Sequence, residues 1–196
     1  MLCKAMRARK SMTVDRFILD KQDAALLIVD IQERLAAVMK EKDRVVKNCL
    51  HLIELAKMIN LPVMVTEQYP KGLGRTVPEL QTAIPDYRPI EKVAFNCCDE
   101  PAFLAAIKKS GKKKVIVAGM ETHICVLQTT TGLLQQGFIP HVAQDAVCSR
   151  TDENWNAGIE FMRQAGAVVT CTETVLFQLL KAAGTEEFKK ISQRIK

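Results

Sequence analysis

The sequence predicts an α/β fold: a three-layer arrangement with a mostly parallel six-stranded sheet in the order 3-2-1-4-5-6 and helices on both faces. Two observations carry this. Short apolar, β-branched runs alternate along the chain with longer helical patterns. A helix-to-strand joint also recurs four times, at Asn60, Gly111, Gly137 and Gly166, each followed by a run such as Val63-Met64-Val65 or Val115-Ile116-Val117. Asn and Gly at these positions suit a left-handed helix cap, and the apolar run after each suits a buried strand.

In chain order, Ala24-Ala25-Leu26-Leu27-Ile28-Val29 is a continuous apolar run ended by Asp30, the pattern of a strand buried on both sides. Asp43 to Ile59 reads as a helix that Asp43 can cap, with Val46, Cys49, Leu50, Ile53, Ala56 and Ile59 as its apolar stripe. Glu67 to Asp99 holds six prolines and glycines and reads as irregular, a length usually reserved for function. Pro101 suits a first helical turn, Asp152 opens another helix, and Thr185 to Lys196 closes the chain as an amphipathic helix carrying Phe188 and Ile191.

The totals exclude several classes. The chain has 196 residues, a formal charge of +6 and 48% hydrophobic residues, and no run reaches the about eighteen apolar residues of a membrane span. Seven scattered cysteines without CxxC spacing argue against a disulfide framework and a zinc site, and for a reducing compartment. Much of the positive charge is terminal. Residues 1–16 form a basic tail, either a disordered arm or a targeting segment, which points to a mitochondrial or cytoplasmic location; residues 17–196 form one domain.

The chemistry concentrates at Gly119-Met120-Glu121-Thr122-His123-Ile124-Cys125, where an apolar strand turns into a helix beginning near Leu127. A thiol at a helix start meets free backbone N–H groups that favour a thiolate. In an open parallel sheet, ligands bind at the carboxyl ends of strands where the order reverses, and the 3-2-1-4-5-6 order makes the strands before Asp30 and Cys125 neighbours there. Lys92 lies among Ile90, Val93, Ala94 and Phe95; buried beside Asp30 and Cys125, it would hold both as anions.

At these positions the chain resembles the isochorismatase-like cysteine hydrolases, the superfamily that includes nicotinamidases and N-carbamoylsarcosine amidohydrolase. Val29-Asp30-Ile31-Gln32, Lys92 with Phe95-Asn96-Cys97-Cys98, and Gly119 to Val126 carry the resemblance. Thr66 to Gly74 with Thr76-Val77-Pro78-Glu79-Leu80 is similar to the eukaryotic isochorismatase-domain-containing proteins, a set that includes trypanosomatid proteins described as mitochondrion-associated ribonucleases. The resemblance implies an Asp30–Lys92–Cys125 catalytic triad, a non-proline cis peptide at Met120–Glu121, an oxyanion hole from the backbone N–H groups of Glu121 and Cys125, and a homo-oligomer. It implies amide hydrolysis through a thioester, because isochorismatases proper cleave a vinyl ether without this cysteine. Gln32, Gln68, Tyr69 and Thr122 are the candidate substrate contacts. No cofactor is expected, and no metal: nicotinamidases carry an Asp-and-His metal site after the second strand, where this chain reads Thr66-Glu67-Gln68-Tyr69.

Of the three histidines, His51 lies in a helix, His141 opens a strand at the far edge of the sheet, and His123 flanks the site in a supporting role. Cys97 and Cys98 read as small packing residues. Two alternatives stand beside the hydrolase. A ribonuclease has the Lys108-Lys109 and Lys112-Lys113-Lys114 cluster in its favour, but a strand of roughly 17–20 Å separates the second group from Cys125, and 5% aromatic residues offer little stacking for bases. An idle scaffold is disfavoured by all three triad positions being filled.

Overall fold

The computed structural model describes residues 14–196. Most of the basic tail, residues 1–13, lies outside the described residues. The end of that tail is tied to the body: Asp15 pairs with Lys114 at 3.2 Å, and the Arg16 guanidinium donates to the Gly166 carbonyl.

Six strands form the sheet: β1 (Ala24–Val29), β2 (Val63–Gln68), β3 (Ile90–Lys92), β4 (Lys114–Met120), β5 (Ile139–Cys148) and β6 (Val168–Thr170). Their order is β3-β2-β1-β4-β5-β6. Every pairing is parallel, so the sheet is wholly rather than mostly parallel. The helices are α1 (Glu33–Ala36), α2 (Lys42–Met58), α3 (Pro70–Leu73), α4 (Pro78–Ala83), α5 (Pro101–Lys109), α6 (Leu127–Gln135), α7 (Asp152–Ala165), α8 (Thr172–Leu180) and α9 (Glu186–Arg194).

Period-two alternation along β1 builds two cores. Ala24, Leu26 and Ile28 face one layer, with Val45, Cys49, Leu52 and Ile53 of α2, Leu176 of α8 and Ile191 of α9. Ala25, Leu27 and Val29 face the other, with Phe103 and Ile107 of α5, Leu133 of α6 and Met162 of α7. All six β1 residues are buried, which is why the strand reads as unbroken apolar sequence. The four expected joints hold: Asn60, Gly111, Gly137 and Gly166 all have positive φ. Phe188 of α9 meets Phe177 edge-on at 6.1 Å, as its amphipathic pattern requires.

Four expectations need correction. The section from Glu67 to Asp99 is not irregular throughout; β2 runs to Gln68, α3 and α4 follow, and β3 forms the sheet edge. α2 begins at Lys42, and its N-terminus has no side-chain cap from Asp43 or from Glu41. Leu50 is only partly buried on that helix, and Leu52 and Leu55 take its place in the core. His141 is not at the edge, because β6 pairs outside β5 through His141↔Val168.

The crevice forms where β1 and β4 end side by side. Val29 is opposite Gly119, and a Cβ at position 119 would run into the Val29 carbonyl. Only glycine lets these two strand ends approach so closely.

Candidate active site

Asp30 follows β1 with a left-handed backbone, φ 51, a conformation that Asp tolerates better than most residues. Its N–H donates to the Thr66 carbonyl at 3.2 Å, and the Gln32 N–H donates to the Asp30 carbonyl at 2.9 Å. β3 delivers Lys92 from the other side of β2, through the pairing Gln68↔Lys92. The Lys92 Nζ donates to Asp30 Oδ2 at 2.6 Å and to Gln68 Oε1 at 2.8 Å. The carbonyls of Ala94 and Phe95, at 3.2 and 3.3 Å, complete its shell. Both side chains of the pair are 0% exposed.

After β4 the chain makes one wide turn over Thr122–Val126, with the Val126 N–H donating to the Glu121 carbonyl at 3.2 Å, before α6 begins. Wide turns of this i→i+5 kind occur frequently at functional sites. Cys125 sits in this turn, 5% exposed. The Met120–Glu121 peptide is cis. The Glu121 carboxylate is turned away from the cysteine, onto the Arg150 N–H at 3.1 Å and the Arg150 Nε at 3.0 Å. His123 Nδ1 lies 2.9 Å from Ser149 Oγ, and the Gly158 position on α7 comes within contact of the His123 backbone.

Asp30, Lys92 and Cys125 therefore come together, and they perturb one another. Burial pushes the Cys125 thiol up, the Asp30 carboxylate pushes it further through its charge and a side-chain hydrogen bond, and Lys92 opposes both. Burial works against the Lys92 charge, yet Asp30 foremost, with Cys97 and Cys125, raises its pKa above the ordinary lysine value. The Cys125 thiol lies beside the buried Lys92–Asp30 pair, with the Asp30 side chain in hydrogen-bond reach of it.

The four expected substrate contacts divide. Thr122 is fully buried, and its Oγ1 has no partner among the described residues. Tyr69 is 54% exposed, with its N–H on the Lys92 carbonyl at 2.8 Å. Gln32 and Gln68 are turned onto protein instead. Gln32 Nε2 donates to the carbonyls of Gln68 and Gly74 at 3.0 and 2.8 Å, and its Oε1 accepts the Gln68 N–H at 2.7 Å. Gln68 Nε2 donates to the Val93 carbonyl at 2.6 Å. Beside them, Glu67 is buried and accepts from Thr76, Arg75 and Tyr87, which braces α3 and α4 against β2.

A cavity of about 290 Å³ opens beside the buried pair, lined by Tyr69, Lys92, Val93 and Glu100 among others. A larger one of about 410 Å³ lies over the end of β5, at Arg44, Cys148 and Trp155, and none of Asp30, Lys92 and Cys125 lines it. Of the two, only the smaller reaches the buried pair, through Lys92; neither Asp30 nor Cys125 lines it. Among the described residues no group of three or more His, Cys, Asp or Glu side chains is arranged to hold a metal ion, and no helix is long and apolar enough to cross a membrane.

Thr66 and Cys97 were not among the expected site residues. Thr66 Oγ1 donates to Asp30 Oδ1 at 2.7 Å, and Cys97 Sγ lies 3.7 Å from Thr66 Oγ1. Cys97 does pack in the core, as its size suggests, but its thiol also reaches the site. Thr66 stands beside Val29 only through the parallel register of β1 and β2, which no local sequence signal announced.

The isochorismatase domain model matches residues 24–174. The chain belongs to the isochorismatase family. It is 37% identical over 177 residues to the secreted isochorismatase effector Isc1 of Phytophthora sojae, covering 88% of this chain and 84% of that protein. The MAR1 ribonuclease of Caenorhabditis elegans superposes with a TM-score of 0.85 at 36% identity, covering 91% of this chain and 92% of that one. Two structures of YcaC also superpose at 0.85 with 32% identity, covering 90% of this chain in each case and 91% and 90% of the partners. The one from Pseudomonas aeruginosa contains hexane-2,5-diol and covalent acrylamide; the one from Escherichia coli is an octameric hydrolase of unknown specificity.

Proposed function

We propose that the protein is a cysteine hydrolase that cleaves a small amide or related carbonyl compound through a thioester on Cys125. The observation that carries this is the fully buried Lys92–Asp30 pair at 2.6 Å with the Cys125 thiol beside it. Asp30 takes the Sγ proton as sulfur attacks the carbonyl carbon, and Lys92 balances the negative charge that passes between them. The N–H groups of Glu121 and Cys125 hold the oxyanion. The carbon–nitrogen bond breaks as Asp30 gives its proton to the leaving amine. Asp30 then takes a proton from water, whose oxygen attacks the thioester carbon; the carbon–sulfur bond breaks, Asp30 returns the proton to Sγ, and the acid leaves.

Thr122, with its unpartnered hydroxyl, and Tyr69, at the cavity mouth, are the contacts we assign to substrate. Gln32 and Gln68 act as braces for the loops that shape the cavity. We also propose a homo-oligomer: Val93 and Phe95, 77% and 52% exposed, give the rim beside Lys92 an apolar surface, and the related YcaC is octameric. Size-exclusion chromatography with light scattering tests it; a monomer at all concentrations would refute it. For the compartment we keep a reducing one, mitochondrial or cytoplasmic, on the scattered cysteines.

The decisive experiment is intact-mass detection of an acyl adduct after screening an amide library. A mass increase that maps to Cys125 and disappears in Cys125→Ala supports the proposal, and covalent acrylamide in a YcaC relative is the precedent for looking. Turnover retained by Cys125→Ala would sink it. Ribonuclease activity is a second reading, favoured by the similarity to the C. elegans protein. Against it, Lys114 is buried and paired at the opposite end of β4 from Cys125. RNA cleavage lost in Cys125→Ala would favour it; equal activity in both proteins would count as contamination.

A further inference from the structure

We infer that Thr66 and Cys97 are positioning residues: a hydrogen-bonded relay behind Asp30 that fixes the carboxylate toward Cys125. The inference rests on the role of Asp30 as the base, proposed above.

The geometry leaves little choice of direction. Thr66 clamps Asp30 twice, accepting its backbone N–H at 3.2 Å and donating Oγ1–H to Oδ1 at 2.7 Å. That donation uses the only proton on the hydroxyl. Cys97, 3.7 Å away, can therefore only donate to it, so the chain reads Cys97 S–H to Thr66 O–H to Asp30. All three residues are 0% exposed. Because Oδ2 is held by Lys92, both carboxylate oxygens are fixed, and the plane of the group is set before substrate arrives.

The relay also has a fixed end. The Cys97 N–H donates to Thr129 Oγ1 at 3.0 Å. Thr129 stands four residues beyond Cys125, one helical turn further along, so the wide turn and α6 hold both the nucleophile and the tail of the relay. A shift of that segment would move Cys125 and the support of Asp30 together. The ionisable groups facing Asp30 are Lys92 from β3, Cys125 from the turn and Cys97; β2 contributes Thr66 and Gln68, and Glu67 points the other way. Burial, reinforced by Asp30, pushes the Cys97 thiol up to about 11, so it stays a donor at neutral pH.

The test follows alkylation of Cys125 by iodoacetamide across pH, read on its own peptide by mass spectrometry, and so needs no substrate. Removing a hydrogen bond to a carboxylate makes it more basic. Thr66→Val should therefore move the acid limb of the profile up by about one pH unit, with Thr66→Ser restoring it. Cys97→Ala should move the limb the same way by a few tenths of a unit, and Cys97→Ser should restore it. Circular dichroism and a cooperative melt establish that each variant is folded. Should Thr66→Val not fold, Cys97→Ala carries the test. A limb unmoved in every folded variant overturns the inference. Asp30→Asn is the control: if it leaves the limb in place, the assignment of Asp30 as base is what fails.

Discussion

Two buried lysines stand at opposite ends of the central strands, and they show what separates a staple from a site. Lys114, the first residue of β4, is 4% exposed in its side chain and pairs with Asp15 at 3.2 Å and Asp23 at 3.5 Å. Those carboxylates are 67% and 36% exposed, so water shares the charge. Lys92, at the carboxyl ends, pairs at 2.6 Å with an aspartate as buried as itself, and protein groups fill its shell. The same pair of residue types ties the N-terminal segment to the sheet at one end and perturbs a thiol at the other. Burial of the partner, rather than burial of the lysine, makes the difference.

The largest effect should come from breaking the closed pair. Lys92→Met leaves an uncompensated buried carboxylate and should cost about 3–5 kcal/mol in chemical denaturation, together with loss of the reactivity of Cys125 at neutral pH. The double variant Asp30→Asn/Lys92→Met should recover most of the stability and none of the reactivity. A stable single variant with normal alkylation would show that the pair is not what organises the site.

Acid sensitivity should come second, and it belongs to the other end. His141, buried on β5, has its pKa pushed down to about 4, by burial first and by the charges of Lys114 and Arg16 after it. Its folded value is below the unfolded value of about 6.5, so the unfolded chain takes the proton first. The neutral form contributes its full stability above about pH 6.5, and this is lost as pH falls toward 4, by about 3 kcal/mol at most. Urea melts at several pH values should show this slope in the wild type and a flatter one in His141→Phe; equal slopes would mean that the acid lability lies elsewhere.

The smallest effect is expected at Lys114. Its carboxylate partners reach solvent, so Lys114→Met should cost about 1 kcal/mol and leave Cys125 alkylation unchanged. A loss as large as that of Lys92→Met would erase the distinction between the two pairs.

How much of this could be read in advance follows the range of each interaction. The runs before Asp30 and before Cys125, and the Asn and Gly joints, are local signals of strands alternating with helices; the strand order expected was the common one for such a sheet, and the structure has it. Lys92 was singled out by its apolar neighbours and is buried, yet Val93 and Phe95 are themselves exposed, so pairing on β3 with Gln68, rather than those neighbours, takes the lysine inside. β3 was not, because an edge strand of three residues with an exposed Glu91 has no periodicity to detect among prolines. Gln32 and Gln68 looked available because their partners are carbonyls at Gly74 and Val93, far along the chain or in another element. The contacts of Thr66 and Cys97 depend on register and on side-chain direction across three elements, which no short window of sequence contains.

The short edge strand also sets the order in which the protein fails. Asp30 and Cys125 follow β1 and β4, which are paired on both sides, whereas Lys92 depends on three parallel pairings at the rim of the sheet. Sheet edges open at lower free energy than interior strands. In the triad proposed above, fraying of β3 withdraws Lys92 and leaves Cys125 and Asp30 in place. In a urea titration, the reactivity of Cys125 should then be lost ahead of the global transition, while the protein is still folded.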